Sequence, residues 1–281
     1  MAGAGQFPPR ADELAWAAVA LDFAGGPRFR GLAEQAAALL VERQEADGRV
    51  PVIDGASKAL WPTAPAALAW KVVGGFEKPL ALAVDSLLNT FGEAGTGMPD
   101  GHDVTIPGWS WIEGAHPWVE PTAMAMIALR ACGKADHQRV RDGVRLLLNR
   151  QLPHGGWNLG NTIVFGNELL PVPDSTGLAL VALAGLVARA EVETSLSMTA
   201  TDLEKVKTPL SLGWILFCRS AWGAPVIDAR ERLLECLGLE SLLGDYDLAQ
   251  IGFLLTAFST NGDLLAGLGI DAGAGAARGA A

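Results

Sequence analysis

The chain has little basic charge. Its 281 residues include 21 lysines and arginines against 31 aspartates and glutamates, which gives a formal net charge of -10 at pH 7. No cluster of Lys or Arg interrupts this acidic balance, and an acidic surface repels a phosphate backbone. We therefore expect no nucleic-acid partner.

Cysteine is also scarce, since the chain has only Cys132, Cys218 and Cys236. Three cysteines are too few for a disulfide framework, and none of them forms a Cys-x-x-Cys pair. The sequence therefore predicts a protein of the reducing cytoplasm in which each cysteine is a small core residue.

No apolar run is long enough to cross a bilayer. The longest run, residues 176–187, is shorter than the ~20 residues that a membrane-spanning helix needs. We expect this run to form a buried helix and predict no transmembrane segment, while peripheral contact with a membrane stays open.

Alternating runs of β-branched residues are nearly absent, whereas apolar residues make up 50% of the chain and recur at three- and four-residue spacing. This pattern predicts an all-α protein. We expect one domain over residues 1–260, followed by a Gly/Ala-rich flexible tail over residues 261–281. The predicted helices cover residues 12–24, 31–43, 63–73, 78–90, 122–131, 137–151, 175–189, 208–219, 227–243 and 248–259.

Three helices begin in the same way, with Thr63, Thr122 or Thr176 followed by small and aliphatic residues, and residues 245–249 begin a fourth helix in a weaker form. The threonines are 59 and 54 residues apart, which fits one helical hairpin with its loops. Helices that are apolar on every face are surrounded by other helices. We therefore expect them to form an inner ring, and the preceding helices, which are polar on one face, to form an outer ring.

Residues 151–157 (QLPHGGW) have the pattern Q-x3-G-x-W, and residues 44–50 (QEADGRV) repeat it with valine in place of tryptophan. Glycine permits a tight turn after the helix, the indole packs flat, and the glutamine bonds neighbouring backbone. The pattern resembles the QW repeats of squalene-hopene and oxidosqualene cyclases. With the helix starts, the resemblance implies a single α/α toroid, complete or incomplete, of the terpene cyclase and protein prenyltransferase superfamily.

In class II terpene cyclases, an acidic aspartate stands two residues before the threonine of such a helix start. The resemblance therefore implies Asp174 as a proton donor to an alkene or epoxide, with Glu120 at the same position of its own repeat. Burial raises the pKa of a carboxyl and keeps it protonated. The chain departs from the family motif at Val172 and Ser175, where aspartates are expected. The alternative role for Asp174 is to cap its own helix, and for Glu120 it is a favourable charge in a first turn.

The prenyltransferase branch holds zinc through an Asp-x-Cys pair and a distant histidine. Here Arg130, Leu216 and Leu234 stand two positions before the cysteines, so we predict no metal site. The Gly-Cys-Gly-Glu-Gln run of thioester-containing toroids is also missing. Proton-initiated cyclisation needs no metal or organic cofactor, and none is predicted.

The loop over residues 98–120 contains the densest group of reactive side chains, including Glu113, His116 and Glu120 beside Trp111 and Trp118. Paired carboxylates and stacked tryptophans occur together in sugar-hydrolysing sites. A carbohydrate-active α/α toroid is therefore one alternative function. The other interpretation is a solvated loop whose tryptophans pack on helix ends.

The leading hypothesis is a terpene cyclase-like protein that binds an isoprenoid or another hydrophobic molecule in a central apolar cavity, with Asp174 and Glu120 as the acids. A non-catalytic lipid-binding or protein-interaction module is the first alternative, and a partner subunit that completes the cavity stays open. A structural role in the QW turn is the alternative for one tryptophan, Trp157. The predicted substrate-binding residues are Trp111, Trp118, Trp157, His116 and Glu113.

Overall fold

A computed structural model describes residues 8–53, 55–56, 58–97 and 101–273. Within these ranges the chain forms thirteen α-helices and one antiparallel hairpin of two short strands, which confirms the predicted all-α class. The helices are α1 (Ala11–Ala24), α2 (Pro27–Arg43), α3 (Thr63–Val73), α4 (Glu77–Asn89), α5 (Val119–Ala131), α6 (Gln138–Asn149), α7 (Pro173–Leu183), α8 (Arg189–Leu203), α9 (Pro209–Ala221), α10 (Ala229–Gly238), α11 (Glu240–Leu243), α12 (Leu248–Ser259) and α13 (Leu264–Gly267). The strands are β1 (Ile163–Val164) and β2 (Asn167–Glu168).

Six helices contact one another in a fixed succession. α1 packs against α3, α3 against α5, α5 against α7, α7 against α9, and α9 against α12. α12 in turn packs against α1, so the first helix lies beside one that begins more than two hundred residues later. We call α1, α3, α5, α7, α9 and α12 the central helices.

The central helices are buried because neighbours cover most of their faces. In α7 every residue from Ser175 to Leu183 is buried, and in α5 every residue from Ala125 to Ala131 is buried. By contrast, α2, α4, α6, α8 and α10 each lie against two successive central helices and bury one face only, as amphipathic helices do. No helix in the described part of the chain is both long enough and apolar enough to cross a membrane.

Glycine brings two pairs of central helices into close backbone contact. A β-carbon at Gly177 of α7 would lie 2.7 Å from the carbonyl carbon of Trp214 in α9. A β-carbon at Gly252 of α12 would lie 2.8 Å from the carbonyl carbon of Trp16 in α1. Carbon atoms in contact are normally about 3.5–4.0 Å apart, so alanine at either position would push the helices apart.

The region after α7 differs from the prediction of one helix to residue 189. α7 ends at Leu183, and Gly185 then turns the chain with a φ of 76°. A further helix, α8, follows and was not predicted. Its buried face includes Ser195 and Thr199 beside Val192, so polar residues occupy buried positions and the apolar spacing that indicates a helix is weak. The predicted helix over residues 227–243 is divided into α10 and α11.

The helical structure continues beyond residue 260, where we expected a flexible tail to begin. Leu264 and Leu265 of α13 are buried, and α13 packs against α9. Leu268 and Ile270 are buried as well. These four apolar side chains, which the prediction placed in the tail, belong to the core of the protein. The rest of the predicted tail, residues 274–281, lies outside the described residues.

Candidate functional site

The three predicted helix starts share one buried hydrogen bond. In each, the threonine Oγ1 accepts a hydrogen bond from a backbone N–H of the preceding chain, and the N–O distance is 3.0 Å in all three. The repeat seen in the sequence is thus a repeat of hydrogen bonds, which satisfies a buried backbone donor each time. The pairs are Thr63 with Val50, Thr122 with Trp109, and Thr176 with Trp157.

Trp109 and Trp157 also bind α4 and α6. The indole N–H of Trp157 donates to the Leu147 carbonyl in the last turn of α6, at 2.7 Å, and that of Trp109 donates to the Leu87 carbonyl in α4, at 2.9 Å. Each indole thus binds a carbonyl near the C-terminal end of a helix, and the Leu147 carbonyl also accepts the Arg150 N–H at 3.1 Å. Trp109 was not predicted as an equivalent of Trp157, although both follow a glycine and precede a threonine helix start.

The glutamines of the two QW segments connect α2 to α4 and α6 to α8. Gln44 donates to the Pro79 carbonyl of α4 at 2.9 Å, and Gln151 donates to the Ser195 hydroxyl of α8 at 2.7 Å. The motif glycine permits the turn that follows the glutamine, and the φ of Gly48 is 88°. These contacts are structural, and the fully buried Trp157, a predicted substrate-binding residue, does not line the cavity described next.

A cavity of about 260 Å³ lies where the N-terminal ends of the central helices meet. Every central helix contributes at least one residue from its first two turns or from the residues just before it, and the loop before α5 contributes Trp111. The lining residues are Arg10, Asp12, Trp16, Trp61, Pro65, Trp111, Glu120, Pro121, Met124, Leu178, Leu210, Trp214, Asp247, Ala249, Gln250 and Phe253.

Aromatic rings form much of the cavity wall. Trp61 and Trp111 meet edge to face, with centroids 5.6 Å apart. On the other side, Phe253 lies 4.8 Å from both Trp16 and Trp214. Edge-to-face pairs such as Trp61–Trp111 and Trp16–Phe253 are favourable. These rings make much of the wall apolar, and Trp16, Trp214 and Phe253 are themselves buried.

Arg10 connects the starts of α1 and α12 at the rim of the cavity. Its Nη2 donates to Asp12 Oδ2 and to Asp247 Oδ2, both at 2.8 Å, and its Nε donates to Asp12 Oδ1 at 3.0 Å. These hydrogen bonds, first of all the one to Asp12, raise the pKa of Arg10 against the opposing effect of burial. Asp247 also caps α12 by accepting from the backbone N–H of Gln250 at 2.8 Å. The guanidinium also lies near a third carboxylate, with Nη1 3.8 Å from Glu13 Oε1.

Glu120 is the acidic residue in the first turn of α5 and lines the cavity. Burial raises its pKa; the hydrogen bond that the Ser175 hydroxyl donates to its Oε1, at 2.8 Å, opposes this shift, and the nearby charge of Asp174 adds to it. The N-terminal position on α5 favours the ionised form through the helix dipole, whereas desolvation, the largest cause of the pKa shift, favours the protonated form. Glu120 is therefore an acid whose protonated form is favoured by its environment.

Asp174 lies behind this site rather than in it. It is half-buried in the first turn of α7, and the cavity lining from that helix is Leu178 instead. The alternative role of a cap is also not found, because the N-cap of α7 is Val172 and no side chain caps the helix. Asp174 acts on the cavity through its charge, which raises the pKa of Glu120.

The other predicted binding residues of the loop do not line the cavity. Glu113 is exposed and lies 3.5 Å from an Arg49 nitrogen, and His116 is exposed with its Nδ1 2.8 Å from the Glu93 carbonyl. Trp118 is half-buried and packs against Gly160. Of the seven predicted site residues, the cavity brings together Glu120 and Trp111 only.

Cysteine and metal chemistry do not contribute to the cavity. Cys132, Cys218 and Cys236 are free thiols, of which the last two are buried, and burial raises the pKa of each. In the described ranges, no three His, Cys, Asp or Glu side chains are grouped so that they could hold a metal ion. None of the three cysteines lines the cavity.

Sequence reasoning missed Arg10, Asp12 and Asp247 as site residues. A signal was present, since Asp12 and Asp247, like Glu120, stand at the start of a helix with small and aliphatic residues. Trp16 and Trp214 carried no such signal, because a tryptophan within a helix that is apolar on all faces is indistinguishable from a core residue.

No model of a known protein family matches this chain, and a search of curated protein sequences finds no match. The chemistry of the site is therefore derived from its own geometry.

Proposed function

We propose that the central helices form the inner ring of an α/α toroid and that the cavity binds a small hydrophobic molecule of the isoprenoid type. The succession of contacts from α1 through α12 and back to α1 supports the ring, as does the position of each outer helix against two central ones. The observation that carries the functional proposal is Glu120, a carboxyl of raised pKa in a cavity walled by indoles.

The size of the cavity restricts the ligand. Small-molecule pockets commonly enclose about 300–1,000 Å³, and this one encloses about 260 Å³. At ~30 Å³ for a water-sized group, the space of about 260 Å³ accommodates roughly nine such groups. A ten-carbon isoprenoid is near this limit, whereas the thirty carbons of squalene far exceed it.

In this proposal Glu120 supplies the acid that the family resemblance assigns to Asp174. The protonated carboxyl transfers its proton to an alkene carbon, where a new C–H bond forms and a carbocation remains. The surrounding indoles stabilise positive charge. Loss of a proton from another carbon to the carboxylate ends the reaction, so substrate and product are isomers and Glu120 is regenerated.

The test combines binding with product analysis. Purified protein is titrated with geraniol, farnesol and squalene while its tryptophan fluorescence is recorded. We expect geraniol to change the emission and squalene to leave it unchanged. The same mixtures, kept with a metal chelator, are then analysed by gas chromatography for isomerised products.

Two variants give this test its control. Glu120→Gln keeps the size of the side chain but cannot donate a proton, while Glu193→Gln removes an exposed carboxylate of α8. We expect product from the wild type and from Glu193→Gln and none from Glu120→Gln. Geraniol binding without product identifies the non-catalytic binding module instead, and absence of binding by all three compounds contradicts the proposal.

A carbohydrate ligand is less compatible with the cavity. Sugar hydroxyls need donors and acceptors on most sides, but no Ser, Thr, Tyr or Asn is found among the described lining residues, and Gln250 is the one amide. Two of the loop residues on which that alternative depends, Glu113 and His116, are exposed and engaged elsewhere. Alanine at Glu113 should therefore change neither ligand binding nor turnover.

A further inference from the structure

The charges around the cavity are unbalanced. Its described lining contains the carboxylates of Asp12, Glu120 and Asp247 against a single guanidinium, that of Arg10. The other three charged groups pair with one another, since Arg10 is held by Asp12 and by Asp247 at 2.8 Å each. Among the described lining residues no further arginine or lysine is left to neutralise Glu120.

Glu120 is the carboxylate that lacks a counter-charge. Its hydrogen-bond donor is the fully buried hydroxyl of Ser175, which is neutral, and its charged neighbour Asp174 has the same sign. A desolvated carboxylate is costly unless a cation pairs with it or a proton neutralises it. A ligand that brings its own positive charge would provide the missing partner.

The cavity wall suits a cation for a second, independent reason. Four tryptophans line it, namely Trp16, Trp61, Trp111 and Trp214. The face of an indole is the best of the neutral aromatic surfaces for an organic cation, and several indoles around one cavity form the kind of cage that holds quaternary ammonium groups. Carboxylate and indole faces together recognise positive charge surrounded by hydrocarbon.

We propose that the cavity also binds an organic cation, a substituted ammonium whose alkyl groups contact Trp61 and Trp111 and whose charge faces the ionised carboxylate of Glu120. This inference goes beyond the proposed function, which uses the protonated form of Glu120 and a neutral hydrocarbon in the same cavity. The charge is permanent or is gained by an amine at neutral pH, and the compact volume restricts the substituents to short alkyl chains.

The test compares two probes of nearly equal shape, choline and its neutral carbon analogue 3,3-dimethylbutan-1-ol, by isothermal titration calorimetry. A net contribution of cation-π and ion pairing should make choline bind about tenfold more tightly or better. Equal or tighter binding of the neutral alcohol overturns the inference and leaves the proposed function standing. Absence of binding by both probes and by geraniol contradicts the inference and the proposed function together.

Variants assign the selectivity to its residues. Glu120→Gln should weaken choline binding by about tenfold and change binding of the neutral alcohol by less than about twofold. Trp111→Leu should weaken choline more than the alcohol, whereas Glu193→Gln on α8 should affect neither. Thermal unfolding of each variant checks that it is folded. Unchanged choline binding in folded Glu120→Gln and Trp111→Leu also overturns the inference.

Discussion

The start of α5 has two sides that differ in their hydrogen bonding. We call the side of Thr122 the threonine side and the side of Glu120 the cavity side. At the start of α5, Thr122 is fully buried and its hydroxyl accepts the Trp109 N–H, so this buried donor has a partner. Two residues earlier, Glu120 lines the cavity, and among the described residues the Ser175 hydroxyl is the group that opposes its desolvation. The threonine side therefore contributes to stability, whereas the cavity side retains a carboxylate whose charge is not compensated.

This difference locates the functional side of the fold. Natural proteins keep a buried group incompletely satisfied where its chemistry is used. The threonine side repeats with the same geometry in three helix starts, as expected of packing. The cavity side does not repeat, since α1, α5 and α12 contribute Asp12, Glu120 and Asp247 while α3 contributes Trp61.

The largest loss in the free energy of unfolding is expected from Trp157→Ala on the threonine side. Trp157 is fully buried and donates its indole N–H to Leu147, so its removal leaves a cavity and breaks a buried hydrogen bond and should cost about 3–5 kcal/mol. Trp111→Ala on the half-buried cavity side should cost less than half as much. Urea unfolding of both variants measures the difference, and equal losses would remove the contrast.

A somewhat smaller loss is expected from Gly252→Ala, which places a β-carbon 2.8 Å from the Trp16 carbonyl carbon between α12 and α1. Overpacking of this kind costs about 1–3 kcal/mol. Gly31→Ala in α2 is the matched control, because nothing lies within 4 Å of its added carbon, and it should stabilise the helix by about 0.5–1 kcal/mol. The two free energies of unfolding should therefore change in opposite directions.

Thr122→Val preserves the shape of the buried side chain but removes the acceptor of the Trp109 N–H. An unpaired buried donor costs about 1–3 kcal/mol. Thr208→Val serves as its control, since the Thr208 hydroxyl bonds only the Ser211 hydroxyl at an exposed position. If both substitutions cost the same in chemical unfolding, the helix-start hydrogen bond contributes nothing of its own.

The smallest effect is expected from Glu120→Gln, and it depends on pH. Burial raises the pKa of Glu120 above its ordinary value of 4.5, so the folded state binds this proton more tightly than the unfolded state. The free energy of unfolding of the wild type therefore falls as pH rises from about 4.5 through the raised pKa. Glu120→Gln should be more stable than wild type at pH 7.5, with the advantage shrinking at pH 4.

Urea unfolding at both pH values measures this difference, and Glu193→Gln, on an exposed face, shows the effect of removing a carboxylate as such. A stability advantage of Glu120→Gln that is the same at both pH values would contradict the raised pKa of Glu120.

Local patterns in the sequence predict the threonine side of the helix starts well. Spacing within about 20 residues predicts the threonine helix starts, the QW turns and the helical class. In the QW turns, glycine permits the turn and glutamine binds the neighbouring helix, as their chemistry predicts. The missed helix α8 lacks that signal because Ser195 and Thr199 are buried and satisfied by contacts from other elements.

The cavity side is harder to predict, because its residues come from distant parts of the chain. Arg10 and Asp247 are 237 residues apart and meet only because α1 packs against α12. Glu120 and Asp174 occupy the same position before a threonine and differ by one methylene, yet only Glu120 lines the cavity. Sequence position alone does not separate these two acids.

The most direct test of the account is a crystal structure of the protein grown with choline at saturating concentration. We predict a ring of six central helices with the ammonium between Trp61, Trp111 and the Glu120 carboxylate, and with Arg10 still bound to Asp12 and Asp247. A centre filled by protein side chains, or choline absent from this cavity, would contradict it.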